Sequence, residues 1–255
     1  MLLSMAVVDA AILVSGADEA FVDQVRALEG ACRRRGITLT FQNDMRLFRE
    51  VFLNLRDPRA HLSPLLDAQV SDLSEARWIL GTDAEGQVVT TQAYRFYPDD
   101  GSTSYDRWVS LRMLYDRPEE APPGLSCTPI GEAAEVNRKL RCWLASGGTW
   151  VHPDHRGPDS HGVHLSERLP RLSRTLGMRQ YPMAEATTSG VLPQLAKAGI
   201  AERYGYKSVV PSLTYCRGGR TSDMLFLWMP RQEMERDARS FRARLSAVPV
   251  YRAAE

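Results

Sequence analysis

Residues 151–169 read "VHPDHRGPDSHGVHLSERL", and the fold turns on what this stretch is. It holds four of the chain's five histidines, an Arg-Gly pair and the first turn of an amphipathic segment. Before it, "CWLASGGTWV" is apolar and β-branched enough to predict a strand over Trp143–Val151. After it, Leu165, Leu169, Leu172 and Leu176 recur at four, three and four residues, the spacing of one helical face. Gly177 stands where a glycine after a helix end belongs, and Pro170 interrupts the pattern. The stretch is therefore predicted to be a strand–turn–helix connection.

Three readings of that connection compete. His152, His155, His161 and His164 have side chains that zinc accepts, but no His-Glu-x-x-His spacing is present and spacing alone does not make ligands converge. A second reading is an anion site. A helix start leaves several N–H groups unpaired and pointing one way, and the helix dipole adds positive potential there. Gly157 and Gly162 let backbone approach a ligand, and Arg156 adds a fixed charge. The third reading is a polar surface turn that binds nothing, and on these residues alone the last two are level.

The rest of the chain sets the frame. With 255 residues it can bury a sizeable core in one elaborated domain or two small ones. A net charge of +1 gives no ground for a nucleic-acid or membrane partner. Cys32, Cys127, Cys142 and Cys216 are scattered with no Cys-x-x-Cys pair, which argues for free thiols in a reducing compartment. The opening "MLLSMAVVDAAILVSG" has no basic start and carries Asp9, so it does not read as a leader; a cytoplasmic protein is expected.

"ADEAFVDQVRALEGACRRRG" predicts a helix whose late Arg33, Arg34 and Arg35 form a solvated end. "DMRLFREVFLNLRD" predicts another, stopped by Pro58. The clearest β-signal is "ARWILGTDAEGQVVTTQAYRFYPDD", a hairpin around "DAEG". A long Pro- and acid-rich insertion at 98–131 follows. Downstream come a strand in "RQYPMAEATTS", a helix in "GVLPQLAKAGIAERYG" with an awkward Pro193, and a last hairpin in "SVVPSLTYCRGGRTSDMLFLWMP". A solvated helix closes the chain. This order predicts an α/β (α+β) fold, a mixed and mostly antiparallel sheet flanked by helices. Residues 1–75 are expected to be an extension packed on a core of 76–232, with 233–255 as a helical tail.

"WVHPDHRG", the helix after it, "YPMAEATTSG" and "AERYGYKSV" together resemble the GCN5-related N-acetyltransferase superfamily. The likeness covers roughly 76–97 and 143–229, and only "VHPDHRG" is specific. It implies an acyltransferase that takes acetyl-coenzyme A or another acyl-coenzyme A as donor and a small-molecule amine as acceptor, with no metal. It gives Trp150 and Val151 the acyl carbonyl and pantetheine contacts. It gives the turn Arg156–Gly162, with Gly157 and Ser160, the pyrophosphate. The departures are Asp159 and His161 where the family expects small residues, a Gly162 that arrives one position late, and Ala201 where many members carry an acidic tyrosine. Tyr204 is the nearest replacement as general acid. Glu185 and His155 are candidate bases, and Thr187 and Thr188 can orient a water or the substrate.

The apolar amino-terminal part and the insertion also resemble relatives that make acyl-homoserine lactones or N-acyl amino acids from acyl carrier protein, and "LFREVFLNL" has their look. The departures equally suit a non-catalytic binding module of the same fold. The insertion and the apolar "MLFLWM" invite a homodimer.

Overall fold

The computed structural model describes residues 4–15, 18–57, 60–159, 162–206, 208–217 and 220–247. Pro58, Ser160, His161 and the Gly218–Gly219 tip of the last hairpin lie outside them. Nine described strands form one sheet: β1 (Ser4–Ala6), β2 (Thr38–Gln42), β3 (Ala76–Thr82), β4 (Val88–Tyr97), β5 (Ser126–Pro129), β6 (Trp143–Val151), β7 (Ala186–Val191), β8 (Ser208–Arg217) and β9 (Arg220–Pro230). Their order is β1-β2-β3-β4-β6-β7-β9-β8-β5. Every neighbouring pair is antiparallel except β6 and β7, which run parallel. The fold class read from the sequence is the one observed.

The helices are α1 (Val7–Ser15), α2 (Glu19–Arg33), α3 (Met45–Asn54), α4 (Ser104–Val109), α5 (Gly131–Lys139), α6 (Leu165–Gln180), α7 (Pro193–Lys197), α8 (Ile200–Arg203) and α9 (Arg231–Ala247). α1, α2, α6 and α9 share a core with Tyr94, Leu144 and Val151 on one face of the sheet. On the other face α3 and part of the insertion pack over Trp78, Tyr97, Trp143 and Trp150. The four leucines of α6 are all buried, each contributing about 1.5–3 kcal/mol against an exposed position. No described helix is long and apolar enough to cross a membrane.

Several sequence expectations need correction. Gly177 is not a helix terminator: α6 runs on to Gln180, and a Cβ at 177 would stand 2.9 Å from Leu144 Cδ1 and 3.3 Å from the Tyr94 ring. The glycine lets α6 lie close on the sheet. Pro193 is not awkward, because the expected single helix is two. Pro193 opens α7, where its missing N–H costs nothing, and Gly199 at φ +76° separates α7 from α8. α9 is not solvated all round: Met234, Ala238 and Phe241 are buried on one face. β2 pairs with β3 over Thr38–Gln42 and β1 adds to β2, so these amino-terminal strands extend the same sheet. The strand "MLFLWM" lies inside the sheet between β7 and β8, and the insertion's β5 covers the far edge of β8.

Candidate active site

β6 and β7 are bonded over only three pairs, Trp143↔Ala186, Leu144↔Thr187 and Ala145↔Thr188. β7 then continues against β9 through Ser189, Gly190 and Val191, while β6 goes on alone on that side from Ser146 to Val151. Two parallel strands that part in this way leave a wedge-shaped gap. Beside the gap β6 carries a bulge. Thr91 of β4 faces Trp150 and Ala93 faces Gly147, so Gly148 and Thr149 together stand opposite Gln92. Gly148 sits at φ +62°, where other residues are strained, and a Cβ there would meet Phe48 at 2.7 Å and Leu66 at 3.1 Å.

The polar groups at the bulge form one connected set. Thr91 donates to the Gly148 carbonyl (2.8 Å) and Thr90 to the Trp150 carbonyl (2.7 Å). Gln92, fully buried, donates to Ser146 Oγ (3.1 Å) and to the carbonyls of Ala93 and Gly147. Thr149 donates its hydroxyl proton to Gln92 Oε1. The Tyr204 phenol lies close to the Thr149 side chain. Burial pushes the Tyr204 phenol above its ordinary value, with Thr149 opposing in part, so the group keeps its proton at neutral pH.

The backbone of Tyr204 is held from beneath by α6. Arg174 donates to the Tyr204 carbonyl (2.6 Å) and Arg171 to that of Arg203. Both guanidiniums also grip Asp237 of α9 at 2.9–3.2 Å. Desolvation lowers the Arg171 pKa, and Asp237 opposes that shift.

The turn differs from its sequence reading in two respects. The Arg156 guanidinium is bonded within the chain. Its Nε donates to the Val151 carbonyl at 2.9 Å and its Nη2 pairs with Asp57, which also accepts from Trp150 Nε1 at 3.2 Å. Asp159 turns inward: its carboxylate accepts from Val163 N (3.0 Å) and pairs with Arg168, whose side chain is 2% exposed. A carboxylate of the chain thus takes one of the amides that an anion would use. Arg35, expected to be a solvated helix end, also reaches the turn. Its Nη2 donates to the carbonyls of His155 (3.1 Å) and Gly157 (3.4 Å).

Other expected residues fall as follows. A Cβ at Gly157 or Gly162 would meet nothing within 4 Å, so open space lies beside both. The Trp150 indole points to the α3 face and the Val151 side chain to the α6 face, so neither fills the gap. His155 stays with the turn, its ring 6.0 Å from that of His152, and does not join Tyr204. His164 bonds the Arg156 carbonyl through Nδ1 (2.8 Å). Among the described residues no three His, Cys, Asp or Glu side chains come together as a metal site. Ser160 is outside the described residues.

Glu185 is not brought to the site. It is exposed at the start of β7, its N–H bonded to the Cys142 carbonyl (2.8 Å) and its carboxylate near Arg141 N (3.4 Å). Along β6 that end is five residues, or about 17 Å, from the bulge. Of the threonines on β7, Thr187 is taken up by Tyr206 OH at 3.3 Å, and Thr188 closes the apex of the gap. Sequence reasoning missed Thr149, Gln92, Asp57 and Arg35. The adjacent glycines of "SGGTW" were the one local sign of the bulge.

Coenzyme A is the donor that the family resemblance implies, and the turn fits its diphosphate in part. Asp159 occupies the Val163 amide, but it is neutralised by Arg168. His164 caps α6 without a side-chain bond, which leaves the first turn of a 16-residue helix for an anion. Behind it, Arg35 Nη1 and Arg168 Nε are buried without a hydrogen-bond partner among the described residues.

No protein-family profile matches the chain, and no curated protein sequence does. Solved structures do resemble it. The aminoglycoside acetyltransferase AAC(6')-Ib, in complex with paromomycin and acetyl-coenzyme A, is 13% identical with a TM-score of 0.42, over 79% of this chain and 97% of that one. The spermidine N-acetyltransferase SpeG of Vibrio cholerae is 10% identical with a TM-score of 0.40, over 79% and 97%. Arabidopsis thaliana NAA60 with acetyl-coenzyme A is 10% identical with a TM-score of 0.41, over 76% and 99%. At that distance neither substrates nor residue roles carry across.

Proposed function

We propose that the chain is an acyl-coenzyme A-dependent N-acyltransferase of the GCN5-related class, moving a short acyl group to an amine. The observation that carries this reading is the bulge at Gly148–Thr149 on a strand parting from its parallel neighbour, with the Tyr204 phenol at Thr149. In the reaction the amine nitrogen forms a bond to the acyl carbon while the C–S bond breaks. The thiolate takes up one proton, and an acceptor that binds as ammonium releases one to solvent. The bulge N–H groups stabilise the oxyanion, and Tyr204 supplies the proton to the departing sulfur. When bound, coenzyme A supplies the activated thioester; the first turn of α6 and Arg35 hold its diphosphate. Phe48 and Leu66 occupy the space on the α3 side of Gly148, which favours acetyl over a long chain. Long-chain transfer from acyl carrier protein therefore falls behind.

The test is thiol release from acetyl-coenzyme A with a panel of amines. Tyr204→Phe should lower kcat by about 10²-fold with KM little changed. Glu185→Gln should leave both within about twofold. No donor binding by the intact protein would sink the proposal, and full activity of Tyr204→Phe would remove the assigned acid.

A further inference from the structure

On the α3 face of the sheet, beside the bulge, lies a cleft of about 520 Å³. That volume is within the range of small-molecule sites. Its walls are apolar: Leu47, Val51 and Leu55 of α3 and its exit, Val88 of β4, and the Trp150 indole. Its polar lining holds two acids, Glu50 and Asp57, and two basic side chains, Arg56 and His152; His152 Nδ1 accepts from Asp154 N at 3.3 Å, and Glu50 and Arg56 are exposed. Neither has a hydrogen-bond or ion-pair partner among the described residues. The other acid, Asp57, is committed to Arg156 and the Trp150 indole. The cleft reaches Trp150, the residue next to Thr149, so its wall lies within about 7 Å of the bulge along the strand.

We infer that this cleft binds a zwitterionic α-amino acid with an apolar or aromatic side chain, and that this is the amine the site acylates. The charges decide between ligand classes. A simple ammonium would gain at Glu50 and be opposed at Arg56. A carboxylate would gain at Arg56 and be opposed at Glu50. Only a ligand carrying both charges satisfies the two, and a ligand with no apolar body would leave the walls of the cleft wet. The indole face of Trp150 suits an aromatic side chain. As acceptor, the amino acid would form its N–C bond as the donor's C–S bond breaks, giving an N-acyl amino acid, free thiol and one proton. That last assignment rests on the acyltransferase reading; the binding assignment does not.

The experiment follows the indole N–H signals of nitrogen-15-labelled, full-length protein, with the Trp150 signal assigned through Trp150→Phe. Three probes with the same ring are titrated: L-phenylalanine, phenethylamine and 3-phenylpropanoate. The inference expects phenylalanine to move the Trp150 signal saturably, at least fivefold tighter than either of the others. Glu50→Gln should bring phenylalanine down to the level of phenylpropanoate, and Arg56→Gln to that of phenethylamine. Val51→Trp, which fills the cleft, should abolish the shift; if it does not fold, the two charge variants decide alone. A Trp150 signal that no probe moves overturns the inference, and so does tighter binding of a singly charged probe. Acetyl-coenzyme A is titrated into the same samples. Donor binding without phenylalanine binding sinks the cleft assignment alone, whereas phenylalanine binding without donor binding sinks the acyltransferase reading and leaves the cleft.

Discussion

Replacing Asp159 separates what holds the turn together from what the turn holds. In the native protein the carboxylate accepts from Val163 N at 3.0 Å and pairs with Arg168, both side chains being almost completely buried. Asp159→Ala strands a guanidinium in an apolar setting and orphans an N–H at the start of α6. Breaking a buried pair by removing one partner costs about 3–5 kcal/mol, and the orphaned amide is part of that loss rather than an addition to it. For a domain of this size each kcal/mol shifts Tm by about 2–4 °C, so a fall of about 6–20 °C is expected. The same change vacates the place of an anion. If the α6 start and the cations behind it receive the donor's diphosphate, a phosphate oxygen can take over the Val163 amide and face Arg168. Asp159→Ala should then bind coenzyme A several-fold tighter than the native chain, and coenzyme A should raise its Tm by more. Asp159→Asn keeps an acceptor for Val163 while dropping the charge, and should fall between the two. Melting with and without coenzyme A, joined to calorimetric titration, reads both quantities. Affinity that falls along with stability would show that the carboxylate supports the turn and does not compete for it. An unchanged Tm would refute the energetic reasoning itself.

Three further outcomes follow from the same geometry. Arg156→Ala leaves Asp57, whose side chain is 4% exposed, short of a partner. Because Arg156 is itself a third exposed, the cost is set at about 1–3 kcal/mol by denaturant melts, while coenzyme A affinity stays within twofold; a large loss of affinity would restore Arg156 to the phosphate site. Gly205→Ala places a Cβ 2.6 Å from Arg171 Nη2 and 2.7 Å from Asp237 Oδ2 at φ +83°. The backbone alone costs about 1–2 kcal/mol, and α9 should loosen with it, so a loss under about 1 kcal/mol would contradict the clamp. Burial pushes the Cys32 thiol from 9.0 up to about 11. A raised thiol pKa means the unfolded chain ionises first, so this stability is intact below pH 9 and is lost as pH rises toward 11, by about 2.7 kcal/mol at most. Cys32→Ala should flatten the fall in Tm between pH 8 and 10.5, and an unchanged slope would remove Cys32 from the account.

The strongest short-range patterns are legible in the sequence, and contacts with distant partners are not. The hairpin around "DAEG" and the strand–turn–helix at 143–180 announce themselves because alternation, turn chemistry and helical spacing are short-range signals. Arg35 looks like any basic helix end, because the carbonyls it bonds are 120 and 122 residues away. α9 looks solvated because its composition is charged. It is docked because Asp237 meets two arginines of α6 and Phe241 lies under one of them. Glu185 failed for a different reason. A carboxylate beside a central strand is a fair candidate base, but the sequence does not say at which end of β7 the gap opens, and it opens away from Glu185. The arginines of α6 carry the point furthest. Arg168, Arg171 and Arg174 repeat every three residues and alone would be assigned to a solvent face, yet all three are buried. Asp159 and Asp237 make that burial tolerable, one closing the turn and the other fixing the loop that presents Tyr204. One helix face thus positions both, Arg168 at the turn and Arg171 with Arg174 at the Tyr204 loop.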